Sequence, residues 1–146
     1  MNLKRFVAGS LLVFIFIFFF EFFLHGFLLE DTYKGIPQLM RSEEEMLKRF
    51  QWIVAGEFLM SVIFCFIFAK GYENRGIGEG VRFGILVGVG FGVSEVLIQY
   101  AVHPFPNNLI VSWLIGYPIE MILAGCIIAA VYKGPAAAEA ANASEP

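Results

Sequence analysis

Four glutamates stand alone inside long apolar stretches of this chain: Glu21, Glu57, Glu95 and Glu120. The first belongs to the segment FEFFLHG (20–26), which closes an almost unbroken apolar run, and His25 follows it four residues later on the same helical face. The others have companions at similar spacing: Ser61 after Glu57, Gln99 after Glu95, and Tyr117 with Gly116 before Glu120. Pro118 frees a backbone carbonyl one turn upstream, near Leu114, which adds an oxygen to the group. Carboxyls in apolar surroundings favour the protonated form, and they exchange that proton for a cation or a polar solute. Glu21, His25, Glu57, Glu95, Gln99 and Glu120 are therefore the candidate proton- or cation-binding residues.

Glu21, His25, Glu57, Glu95 and Glu120 are also the candidate ligands if a metal ion is the cofactor, and the sequence names no other cofactor. Soluble di-iron bundles use two lone glutamates plus two Glu-x-x-His motifs at three-residue spacing. This chain has a single Glu-x-x-x-His, and His103 lies eight residues from Glu95, so the pattern is incomplete. Axial haem ligation by two histidines fits no better, because His103 stands at the edge of its apolar block beside Pro104. Nothing points to an enzyme: there is no Walker loop, dinucleotide fingerprint, Gly-x-Ser-x-Gly elbow or Cys-x-x-Cys pair. No basic stripe suggests nucleic acid. Two readings of the glutamates follow. One is a small membrane protein that binds protons or a cation, as a transporter would. The other is an accessory or scaffold subunit of a membrane complex in which neutral glutamic acids join helices through bonds of about 1 kcal/mol or less.

The elements that must position these residues follow from composition. Of 146 residues, 58% are hydrophobic and 16% charged, against about half and about one quarter in ordinary globular domains. The excess falls in four blocks, approximately 6–29, 50–69, 81–102 and 109–132, and about twenty apolar residues span a bilayer core. None alternates as a barrel strand would. The expectation is an all-α integral membrane bundle of four transmembrane helices over 1–134, followed by a low-complexity, disordered tail at 135–146. The first block runs past a signal-peptide core and no small-x-small cleavage site ends it, which makes it an uncleaved helix. Cys65 and Cys126 fall within helices as apolar fillers rather than as a disulfide framework.

Depths can be compared at a rise of about 1.5 Å per residue: Glu21 lies ~12 Å, Glu57 ~10 Å, Glu95 ~12 Å and Glu120 ~16 Å from the same end. Four carboxyls at one level, each costing about 2.5 kcal/mol or more in a bilayer, call for shared protons, hydrogen bonds or a cation. The glycines of the third block step by four, at Gly76, Gly80, Gly84, Gly88 and Gly92. A groove of this kind lets another helix approach closely, within the chain or in a homo-oligomer or membrane-complex partner. Glu95 shares that face, which directs it inward.

Lys4, Arg5, Lys70, Arg75, Arg82 and Lys133 fall on one side of the bundle, against Lys34, Arg41, Lys48 and Arg49 on the other. That balance sets both termini in the cytoplasm of a bacterial-type inner membrane. Ser42 and Glu45 have capping-box spacing and predict a short helix leading into the second block, with Trp52 as an interfacial anchor. A gapless alignment of 57–71 on 120–134 raises a second possibility, two related helical hairpins. The segments HGFLLEDTY and KGYENRGIGEGVRFG, the latter entering the glycine-stepped helix, resemble small bacterial four-helix membrane proteins of uncharacterised function. The likeness spans the first three helices and implies a fold without assigning a role to any residue.

Overall fold

The computed structural model describes residues 2–132. The expected tail, 135–146, lies outside the described residues. Among those described, every regular element is helical. Four helices are long and apolar enough to cross a membrane: α1 (Leu3–Leu28), α4 (Phe50–Gly71), α5 (Ile77–Val102) and α6 (Asn107–Tyr132). Two short helices, α2 (Glu30–Lys34) and α3 (Glu43–Leu47), flank a 3₁₀ turn in the long first connection.

Local chemistry sets the helix ends. The Asn2 side chain accepts the Arg5 N–H at 3.2 Å to cap α1. The Ser42 hydroxyl accepts the Glu45 N–H at 3.3 Å, so half of the capping box starts α3. α5 begins at Ile77, four residues before its apolar block. Gly76 reverses the chain there at a φ of 72°, which glycine adopts without penalty. The buried Glu79 carboxylate then accepts the N–H groups of Glu73 at 2.6 Å and Arg75 at 2.9 Å, tying the α4–α5 connection to the first turn of α5.

α6 is the central helix. It packs along α5 and against α1, whereas α4 packs against α1 and touches α6 only lightly. The α5–α6 seam is closed by glycine. A methyl group placed on Gly80 would overlap the Gly125 carbonyl, and one on Gly84 would overlap the Met121 carbonyl and Ile122 Cα. Farther along, Gly88 faces the Pro118 Cα and Gly92 the Tyr117 side chain. This glycine face is thus occupied by a helix of the same chain. The main core gathers Val13 and Ile17 of α1, Phe64, Cys65 and Phe68 of α4, and Met121, Ala124 and Ile128 of α6. A smaller cluster of Leu24, Leu29 and Leu109, joined by Trp113 and Phe105, closes the opposite end. The outward faces are apolar as well: Phe19, Phe22, Phe27, Leu86 and Phe91 are all exposed.

Two helices change winding at telling places. α1 passes into π geometry at Leu24–Leu28, just after Glu21, and α5 does so at Gly88–Val93, just before Glu95. Single π turns of this kind re-aim the side chains around them and recur at functional sites.

Candidate functional site

Each long helix presents its glutamate to a common space. A crevice of about 590 Å³ lies between α4, α5 and α6 and is lined by Glu21, Glu57, Glu95 and Glu120 together with Tyr117. Its remaining walls are apolar, among them Ile63 and Phe64 of α4, Phe83, Val87 and Phe91 of α5, and Met121 of α6.

The four carboxyls are not equivalent. Glu120 is only 1% exposed, and its Oε1 has no hydrogen-bond partner. Glu21 and Glu57 are its charged neighbours, each within electrostatic reach of Glu120 and of the other. Glu57 is half-buried, and its Oε2 is likewise buried without a partner.

Glu95 departs from the inward direction that its glycine-face register implies. It is exposed at the rim of the crevice, where the Gln99 amide donates to its Oε1 at 2.7 Å. The cause is the π turn at Gly88–Val93. Bonding from i to i+5 winds fewer degrees per residue, which holds the four-residue glycine step on α6 but turns the next residues back. Val96, at 1% exposure, takes the buried position that a regular helix would give Glu95. Ser61 also stands apart from the carboxyls: it is fully buried and donates to the Glu57 backbone carbonyl at 2.7 Å.

His25 joins Glu21 to a residue that sequence spacing does not single out. Its Nε2 lies 2.9 Å from Glu21 Oε2, close enough for an ion pair but out of line for a hydrogen bond. On the other side of the ring, Nδ1 is 2.5 Å from the Tyr33 hydroxyl of α2, and the two rings are stacked 5.8 Å apart. Burial pushes the Tyr33 phenol up to about 12, with the Trp113 side chain easing the shift and the Glu21 carboxylate adding to it. A line of titratable groups therefore runs from Tyr33 through His25 and Glu21 to Glu120. Tyr33 lies eight residues beyond His25 and outside the apolar block, so no helical periodicity in the sequence links them.

A second, larger cavity of about 1040 Å³ lies beneath residues 30–49 and is lined by Glu21, His25, Tyr33 and Glu57 along with Lys34, Arg41 and Glu43. Glu21, Glu57 and Tyr117 border both spaces. His103 is remote from the group, stacked on Phe105 with ring centroids 5.2 Å apart. Among the described residues, no three His, Cys, Asp or Glu side chains are gathered as metal ligands, so the metal reading of Glu21, His25, Glu57, Glu95 and Glu120 gains no geometric support. Both cysteines are free. No family model, curated protein or solved structure matches this chain.

Proposed function

We propose that this chain is a multi-pass protein of a bacterial-type inner membrane, surrounded by lipid with both termini cytoplasmic, that binds protons or a cation at Glu21, Glu57 and Glu120 and couples their exchange to movement of a solute. The observation that carries the reading is the Glu120 carboxyl, buried beside Glu21, with one oxygen unpartnered, in a crevice lined by one glutamate from each long helix. Carboxyls in a low-dielectric site bind a proton or a cation because like charges at close range cannot all remain unneutralised. Tyr33 and His25 supply a path by which a proton reaches Glu21 from the cavity under residues 30–49. Glu95, held by Gln99 at the rim, adds negative potential at the entrance.

Proton release from the full chain in an uncharged detergent, followed with a pH indicator after addition of a cation, tests this reading. Wild-type protein is expected to release protons. Glu120→Gln and Glu21→Gln, which keep shape and hydrogen bonding but remove a titratable group, are expected to abolish the signal while leaving the helical spectrum intact. Release unchanged in both variants rejects the carboxyl site. The topology is tested separately by reporters. One fused after Lys133 should read cytoplasmic and one inserted within 30–49 periplasmic, and two reporters on the same side would overturn the four-span arrangement.

One observation favours the accessory-subunit reading. Glu21 of α1 and Glu120 of α6 line the same crevice within electrostatic reach of each other, where an interhelical hydrogen bond would sit in a static scaffold. Under that reading glutamine substitutes without loss, and the same experiment separates the two.

A further inference from the structure

The crevice is much larger than a bare ion needs, and its shape points to a class of ligand. A volume of about 590 Å³ falls within the range of about 300–1,000 Å³ typical of small-molecule sites, which are mostly apolar with a few convergent polar groups. Here the polar groups are the four glutamates and Tyr117, and no lysine, arginine or histidine is among the lining residues. Its wall carries the rings of Phe64, Phe83 and Phe91, faces that attract a cation as well as an apolar body. At the floor, Glu120 is almost fully buried with Oε1 unpartnered.

The crevice also opens sideways. α4 and α5 meet where Phe64 and Phe68 close on Phe83, with ring centroids 4.7 Å and 5.5 Å apart. From there toward the end carrying residues 30–49, Ile63 of α4 and Phe91 of α5 form exposed apolar lips. A ligand entering between those lips comes from the bilayer flank of the bundle and not only from water.

We infer that the α4–α5 crevice binds an amphiphilic organic monocation, an amine or onium group on an apolar body, with its charge at Glu120 and Glu57 and its body against Phe83, Val87 and Phe91. This rests on the proton- or cation-binding reading above and names the solute class for the same site. Binding displaces a proton from the carboxyl group, since the incoming charge does the neutralising that the proton did. The second cavity, which shares Glu21, Glu57 and Tyr117 with the crevice, gives the cation a polar exit toward residues 30–49.

Gly56 provides a clean way to block the crevice. It lines the space on α4, and a Cβ there meets no atom within 4 Å, so Gly56→Leu fits without backbone overlap and also suits a helix better than glycine. The test is equilibrium dialysis of tetraphenylphosphonium against the full chain in uncharged detergent, with protein-free micelles as blank and uncharged triphenylphosphine oxide as comparison. Saturable binding accompanied by proton release is expected, at least about tenfold weaker in Gly56→Leu and in Glu57→Gln. The neutral compound is expected not to exceed the blank. Tetraphenylphosphonium that binds no better than to empty micelles, or equally well to Gly56→Leu, overturns the inference. So does equal binding of the neutral compound. If inorganic cations still release protons from wild type and not from Glu120→Gln, only the organic-cation inference has failed; if they do not, the underlying carboxyl reading has failed too. Should Glu57→Gln lose its helical spectrum, Gly56→Leu decides alone.

Discussion

The two helical hairpins of this protein are closed by opposite means. α5 and α6 meet backbone to backbone, with Gly80 and Gly125 each leaving no space for a methyl on the other and Gly84 lying against the Met121 carbonyl. α1 and α4 meet through rings: Phe6 on Phe66 at 6.4 Å, Phe14 on Phe58 at 5.6 Å, and Phe18 on Phe50 at 6.2 Å. Close backbone approach maximises van der Waals contact between the two helices. Ring contacts instead join side chains that reach out from the two helices. Both cavities border α4, and Gly80, Gly84 and Gly125 of the α5–α6 seam line neither. The glycine-closed hairpin is thus packed to backbone contact, whereas helix α4 of the phenylalanine-closed hairpin borders both open spaces.

Substitutions can break this contrast, and the largest effect is expected at Gly84. Gly84→Leu forces the α5 and α6 backbones apart, since the obstructing atoms are the Met121 carbonyl and Ile122 Cα rather than a flexible tip. A loss of about 3 kcal/mol is expected in reversible unfolding by a denaturing detergent, at the upper end of overpacking costs. A loss below the noise there would mean that the seam is not the tightly packed half. In the other hairpin, Phe58→Ala removes one edge-on ring contact from a residue that is 46% exposed, and about 1 kcal/mol should be lost. Pairing it with Phe14→Ala in a double-mutant cycle isolates the ring contact; a coupling near zero would show that these rings only fill space.

A third measurement sharpens the comparison at the end where α1 meets α2. The folded Tyr33 phenol sits at about 12, above the 10.0 of an unhindered tyrosine, because burial disfavours its charged form. The folded state therefore keeps that proton between pH 10 and about 12 while the unfolded chain gives it up. Stability from this group is fully present below 10 and is lost as pH rises through about 12. Tyr33→Phe should flatten the alkaline limb of the unfolding profile, and an unchanged limb would disconnect Tyr33 from it. The smallest effect belongs to Leu86→Phe. Leu86 is 71% exposed on the face of α5 that points away from α6, and a change within about 0.5 kcal/mol is expected. A cost approaching that at Gly84 would show that this outer face packs against something.

Much of this arrangement is legible in the chain itself, because it depends on properties that each segment carries alone. Continuous apolar runs at 6–29, 50–69, 81–102 and 109–132 demand helices whatever their neighbours, and α1, α4, α5 and α6 follow them to within a few residues. Helix rise and alternating direction bring one glutamate per helix to a common level, which is a matter of counting. Tertiary structure alone decided how each helix is rotated and how far apart the axes stand. Glu95 counts onto the glycine face, yet the π turn at Gly88–Val93 leaves it exposed and buries Val96. Tyr33 meets His25 because α2 folds back over the end of α1. The crevice brings together Gly56 and Glu57 of α4, Phe83 and Val87 of α5, and Glu120 and Met121 of α6, which lie far apart in sequence. Periodicity is a property of one helix, whereas rotation and spacing are settled by the fit of surfaces far apart in sequence.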